Sequence, residues 1–182
     1  MELWNLYNEN REKLPETMVR GNPISPGNFH LVVHVCIFHP DGRLLIQHRQ
    51  PFKSGWSNLW DLTVGGSAVA GETSRQAAER EVGEEIGFPL DLTGIRPVLT
   101  VNFPQGFDDY YLVRRNPEIT TLHLQAEEVK EVRWAALSEI LVMRDKRVFI
   151  PYQPDFLKLL FALSSNASLH TAPDVSISAH PE

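Results

Sequence analysis

Between residues 29 and 38 the chain reads FHLVVHVCIF, a run rich in β-branched residues with period-two alternation that predicts a strand. His39-Pro40-Asp41-Gly42-Arg43 supplies turn chemistry and Leu44 to Arg49 a return strand, together a hairpin signal. After a loop over Gln50 to Asn58, Leu59 to Val64 predicts a short strand that ends at Gly65-Gly66. The period then changes from two to about 3.6 over Thr73 to Ile86, which predicts one helix. Its ends are marked, because Thr73-Ser74-Arg75-Gln76 matches a capping box and Gly87 stands at the C-terminal stop. Further strands are predicted over Ile95 to Asn102, Tyr110 to Arg114 and Val129 to Trp134, with a turn at Phe103 to Asp109 that contains Pro104 and Gly106. Ser138 to Arg144 and Asp155 to Leu163 read as helices, the second with an apolar stripe of Phe156, Leu160 and Leu163.

Strands, helix, strands and helices in that order predict an α/β fold with a mixed sheet and helices packed on its faces. The core is expected over residues 29–163. Before it, ELWNLYN, NENRE and KLPETMVRG read as two extended pieces around a polar turn, a hairpin extension over residues 1–28 that extends or covers the main sheet. After it, residues 164–182 turn polar and rich in Ser, His and Pro, and are expected to form a flexible tail.

A chain of 182 residues suits one domain with tails. No stretch approaches the roughly 20 apolar residues of a membrane span, and the first residues lack a signal-peptide pattern, so a cytoplasmic location is expected. The single cysteine, Cys36, forms no internal disulfide and reads as a small buried hydrophobe. A net charge of -6 argues against binding polymeric nucleic acid, which rests on basic patches. An anionic ligand would therefore need a local reversal of sign.

The predicted helix offers one. At about 100° per residue, Glu81, Glu84 and Glu85 fall on one face roughly a quarter-turn wide, beside an apolar face of Ala78, Val82 and Ile86. Like charges at this spacing disfavour a helix, and a divalent cation removes that cost. Ligands that are all oxygen suit Mg2+ or Mn2+, ions that also bridge phosphate oxygens.

The helix sits inside a longer pattern. From Gly66 to Phe88 the chain reads GSAVAGETSRQAAEREVGEEIGF: Gly66, five residues, Glu72, seven residues, Arg80-Glu81, Val82, one residue, Glu84-Glu85, one residue, Gly87 and Phe88. This resembles the signature of the Nudix hydrolase family at every position. The resemblance implies a Nudix α/β/α sandwich with a mixed sheet and a catalytic loop-helix-loop. It implies divalent ions on Glu81, Glu84 and Glu85, with a backbone carbonyl at Gly65 or Gly66, and an Arg80 paired with Glu72 that keeps the catalytic face in register. The implied reaction is attack of water on phosphorus in a small-molecule diphosphate, usually a nucleoside diphosphate derivative, with Glu81 or Glu84 as proton acceptor. A membrane partner is not implied, and a homodimer is compatible.

Other candidates lie outside the signature. Arg49 and Lys53, in the loop leading to the catalytic strand, are candidates to hold phosphate oxygens, Arg by its bidentate fork, with ordinary surface cations as the equal alternative. Glu127, Glu128, Asp108 and Asp109 are candidate extra carboxylates, or solvated turn residues. Trp56 and Trp60 are candidates to stack on a base, with core packing as the commoner role. His30 and His34 share a strand face, a spacing open to metal binding but more typical of a half-exposed strand. FHLVVHVCIFHPDGRLLIQHR and LWDLTVGGS are also similar to isopentenyl-diphosphate isomerase, a Nudix-fold enzyme. Here, however, glycine stands at that branch's cysteine and serine at one of its histidines. A prenyl-type diphosphate substrate stays open on this ground, as does a binding module without activity, although such modules usually have a damaged acidic cluster.

Overall fold

β-Branched and aliphatic residues alternate along His30–Phe38 (β3) because both faces of this strand are covered. A computed structural model of the protein describes residues 2–165. Leu31, Val33, Val35 and Ile37 point into one buried cluster, and Cys36 and Phe38 into another on the opposite face. The central strand is therefore apolar on both sides, as a helix-flanked sheet requires.

Around β3 stand Leu44–Arg49 (β4), Trp60–Asp61 (β5), Val64–Ser67 (β6), Leu99–Phe103 (β7), Gly106–Arg114 (β8) and Val129–Ala135 (β9), a seven-stranded sheet. Its main path runs β5-β4-β3-β8-β7, with β6 on β3 and β9 on β4. The β3–β8 pair is parallel and the others antiparallel, so the sheet is mixed. Ser74–Ile86 (α1) packs Ala77, Ala78, Val82 and Ile86 on one face. Leu137–Asp145 (α2) and Pro154–Ser165 (α3) cover the other through Ile140, Leu157 and Leu160. The α/β/α sandwich expected from the sequence is the observed architecture. Among the described residues no helix is long and apolar enough to cross a membrane.

Several boundaries differ from expectation. The strand expected over Leu59 to Val64 is two strands, β5 on β4 and β6 on β3. The break follows from side chains: Asp61 Oδ1 accepts from the Leu62 amide at 2.7 Å, and the Thr63 hydroxyl accepts from Ile37 N at 2.9 Å while donating to the Leu45 carbonyl. Thr63 thus stands in for the ladder where β3 and β4 separate. At Phe103 to Asp109 the turn is only Pro104-Gln105, and β8 begins at Gly106. Asp108 and Asp109 look like turn residues in the sequence, but each pairs with a partner from another element.

Strand β7 starts at Leu99 rather than Ile95, since Pro97 has no amide for a ladder. Helix α3 runs through Ser165, so Ser164 and Ser165 are helical, and its buried stripe is Leu157, Leu160 and Leu163 with Phe156 half-buried. The rest of the tail expected over 164–182 lies outside the described residues.

At the N-terminus, Leu3–Tyr7 (β1) and Lys13–Val19 (β2) pair as a separate two-stranded sheet. Single bridges tie it to the body at Trp4↔Val69 and Tyr7↔Phe29.

Candidate active site

Helix α1 is held at both ends by local chemistry. The Thr73 hydroxyl accepts from Gln76 N and the Gln76 side chain accepts from Thr73 N, closing the expected capping box. At the other end Gly87 adopts φ 64°, and a Cβ there would lie 2.8 Å from His123 Cβ, so the position needs glycine twice over. With its apolar face on the sheet, α1 presents Glu81, Glu84 and Glu85 to a cleft of about 250 Å³.

The three carboxylates are graded by depth. Glu85 is buried, Glu81 half-buried and Glu84 exposed. Gln47 Nε2 donates to Glu85 Oε2 at 3.1 Å from β4. Burial, with the charge of Glu81 behind it, pushes the Glu85 carboxyl up to about 8. Burial also raises Glu81, partly offset by Arg80.

Arg80 gathers the acids. Its Nε and Nη2 donate to the two Glu72 oxygens at 2.6 and 3.0 Å, a bidentate pair. Its Nη1 donates to Glu81 and Glu84 at 2.9 Å each, and Nη2 also reaches the Ser67 carbonyl at 3.1 Å. Glu72 in turn accepts from Val69 N at 3.0 Å, which ties the loop before α1 to the helix. The resemblance implied the Glu72 pairing; the bonds to Glu81 and Glu84 add to it.

Opposite α1 the cleft wall is glycine. A Cβ at Gly66 would fall 2.2 Å from the Glu81 carboxyl, and one at Gly65 would fall 2.7 Å from the His34 ring. A side chain at either position would displace the facing Glu81 or His34 side chain. Gly65, Gly66, Arg49, Lys53, Arg80 and the three glutamates all line the cleft, so the signature's acids and the two candidate phosphate-binding cations come to one place.

Among the described residues no three His, Cys, Asp or Glu side chains are grouped closely enough to hold a metal. Arg80 draws Glu81 and Glu84 to itself while Gln47 draws Glu85 inward. The carboxylates are nevertheless all-oxygen donors around a pocket whose deepest acid has an elevated pKa. That chemistry fits a hard divalent cation.

The remaining candidates separate. Glu128 lines the cleft but pairs with Lys53, while Glu127 is exposed and does not line it. Asp109 is fully buried, held by Arg11, Ser74 and Thr100 (2.6 Å from Thr100 Oγ1). Asp108 points to the other face of β8, where His34 Nδ1 donates to it at 2.7 Å and the Tyr110 hydroxyl at 2.9 Å. Burial works against a charged His34, but Asp108's hydrogen bond and charge outweigh it and raise the pKa. His30 instead stacks on Trp4, ring centres 4.3 Å apart, so the two histidines form no joint site. Trp60 stacks on His48 at 4.8 Å under Arg133 and is structural, whereas Trp56 is exposed at the rim of a second cavity.

That second cavity, about 490 Å³, adjoins the first and shares Arg20, Arg49, Gly65, Gly66 and Ser67 with it. Asp61, Tyr110 and Tyr152 stand in its wall, the Tyr152 hydroxyl donating to Asp61 Oδ1 at 2.8 Å. Sequence reasoning passed over Gln47, Asp61, Tyr152, Glu2 and Arg20. Only Gln47 left a signal, a polar residue in the otherwise apolar LLIQ of β4.

A family model described as NUDIX domain matches residues 28–155. The chain belongs to the Nudix family. An uncharacterized Nudix hydrolase of Listeria innocua is 49% identical over 170 residues, covering 93% of this chain and 99% of the relative. Among solved structures, the Nudix fold of this chain is similar to the Deinococcus radiodurans protein DR0079, with a TM-score of 0.68 at 23% identity, covering 87% of this chain and 97% of that one. An isopentenyl-diphosphate isomerase of Halorhodospira halophila is 43% identical over only 72 residues, 40% of this chain and 39% of the relative.

Proposed function

We propose that this Nudix hydrolase cleaves a diphosphate linkage in a nucleoside diphosphate derivative by attack of water on phosphorus. The observation that carries this reading is one cleft lined by Glu81, Glu84 and Glu85 together with Arg49, Lys53, Gly65 and Gly66. Acids and cations gathered in one cleft suit a polyanion that arrives with counter-ions.

Glu81, Glu84 and Glu85, with a carbonyl at Gly65 or Gly66, would hold Mg2+ or Mn2+. Such an ion, when bound, supplies charge neutralisation and lowers the pKa of water. The protein's own part is positional. Arg49 and Lys53 bind phosphate oxygens, the glycine wall lets the diphosphate approach α1, and Glu81 or Glu84 takes the proton from the attacking water at a carboxylate oxygen. Arg80 keeps Glu81 and Glu84 in register from below. The adjoining cavity, with Trp56, Tyr110, Tyr152 and Ile150 in its wall, has the size and mixed polarity to take the organic group, a nucleoside or a prenyl chain.

The test is a panel of nucleoside diphosphates, nucleotide sugars, dinucleoside polyphosphates and prenyl diphosphates, assayed with Mg2+ and Mn2+. At least one compound should turn over, chelator should abolish the rate, and Glu84→Gln or Glu85→Gln should each lower it by about 100-fold or more. Equal rates in wild type and both variants would exclude this chemistry.

A further inference from the structure

We infer that Arg20, carried by the N-terminal hairpin, is a phosphate-binding residue of the site, poised where the cleft opens into the second cavity. The inference rests on the diphosphate reading above. It concerns a segment outside the matched family domain, which begins at residue 28.

Position is the first argument. Among the described residues Arg20 and Arg49 are the two cations that line both cavities. A molecule with its reacting phosphorus beside α1 and its organic part in the second cavity comes within reach of both. Availability is the second. Arg80 is fully engaged by Glu72, Glu81, Glu84 and the Ser67 carbonyl. Among the described residues Arg20 makes one side-chain hydrogen bond, Nη1 to Glu2 Oε2 at 3.0 Å, and its guanidinium rests near the Trp4 ring at 6.0 Å. With the Arg20 side chain 58% exposed, that ion pair contributes little, so a phosphate displaces Glu2 at small cost. The other guanidinium nitrogens keep the fork geometry that matches phosphate oxygens.

The hairpin is also fixed where Arg20 needs it. Arg20 N donates to the Glu2 carbonyl at 3.0 Å, closing the hairpin. Ala70 N donates to the Leu3 carbonyl at 2.7 Å, and the Asn5 side chain accepts from Gly71 N at 3.2 Å and donates to the Glu72 carbonyl at 3.4 Å. These bonds attach β1 to the loop that opens the Nudix signature, whose Glu72 holds Arg80. Arg11, at the far end of the hairpin, is anchored on Asp109. Arg20 is thus presented by a docked element rather than by a loose end.

The test measures binding of methylenediphosphonate, a non-hydrolysable diphosphate, by calorimetry with Mg2+ present, alongside KM and kcat on whichever panel compound is turned over. Arg20→Ala should weaken methylenediphosphonate by about tenfold or more and place its kinetic loss in KM, with Arg20→Lys intermediate. Glu2→Gln, which frees Arg20 from its competitor, should bind the probe more tightly. Affinity of Arg20→Ala within about twofold of wild type overturns the inference, as does a Glu2→Gln variant weakened as much as Arg20→Ala, which would mark the pair as structural. Failure of wild type to hydrolyse any panel compound counts against the proposed function alone, because probe binding is read separately.

Discussion

Gly66 shows how a residue without a side chain can shape the chemistry. Its ideal Cβ would sit 2.2 Å from the Glu81 carboxyl, a distance that only displacement of Glu81 can relieve. Glu81 is already raised by burial and tied to Arg80, so it has little freedom to move without leaving its partner. Gly66→Ala should therefore cut kcat by about 100-fold, since misplacement of a reacting group by about 1 Å costs that much. Its melting temperature should fall far less than its activity. Wild-type turnover from Gly66→Ala would show that the glycine wall is not needed. Gln47 works at the same scale in the opposite way, giving the deepest acid a hydrogen bond that a leucine could not.

Among the elements, the separation of β3 from β4 creates the space that the cleft occupies. Only Phe38↔Leu44 pairs these two strands directly, after which β6 takes over the edge of β3 and β5 that of β4. Thr63 sits at the fork, fully buried, with its hydroxyl between Ile37 N and the Leu45 carbonyl. Thr63→Val keeps the volume but leaves both backbone groups without a partner, and should lower unfolding stability by about 1–3 kcal/mol in urea titration. An unchanged midpoint would mean that the fork is held elsewhere. Helix α1 is the contrasting element, specified by its own residues: Thr73 and Gln76 at one end, Gly87 at the other, and alanines, valine and isoleucine toward the sheet.

Across the whole molecule, the hairpin is the part whose attachment should respond to pH. His30 is packed between Trp4, its ring centre 4.3 Å away, and Phe103 at 5.4 Å. Burial lowers its pKa below the usual 6.5, only partly opposed by the Asp108 charge, while Arg20 stands over Trp4. The unfolded chain then binds more protons than the folded one between the folded value and 6.5. Stability from this group is fully present above that window and is lost as pH falls through it. Thermal melts from pH 7 to pH 5 should show a smaller acid-side loss for His30→Gln than for wild type (window about 6.5 and below). Parallel pH profiles would rule out His30 as the titrating group.

Local spacing along the chain announces some features, and the fold arranges the others. The signature from Gly66 to Phe88, its capping signals and the shared face of Glu81, Glu84 and Glu85 follow from local spacing, because helix geometry alone maps residues three and four apart onto one side. The sandwich class follows from strands and helices whose periods are written in their own residues. Contacts between distant segments carry no such local mark. Asp108 and Asp109 are neighbours in the chain, yet one turns to His34 and the other to Arg11, because a strand sends successive side chains to opposite faces. Gln47 reaches Glu85, Tyr152 reaches Asp61, and Arg20 stands beside the cleft, because sheet order and hairpin docking bring them there. By itself the sequence determined the acidic helix and its layer architecture; the tertiary structure decided which outside residues surround that helix, since no local periodicity encodes a partner dozens of residues away.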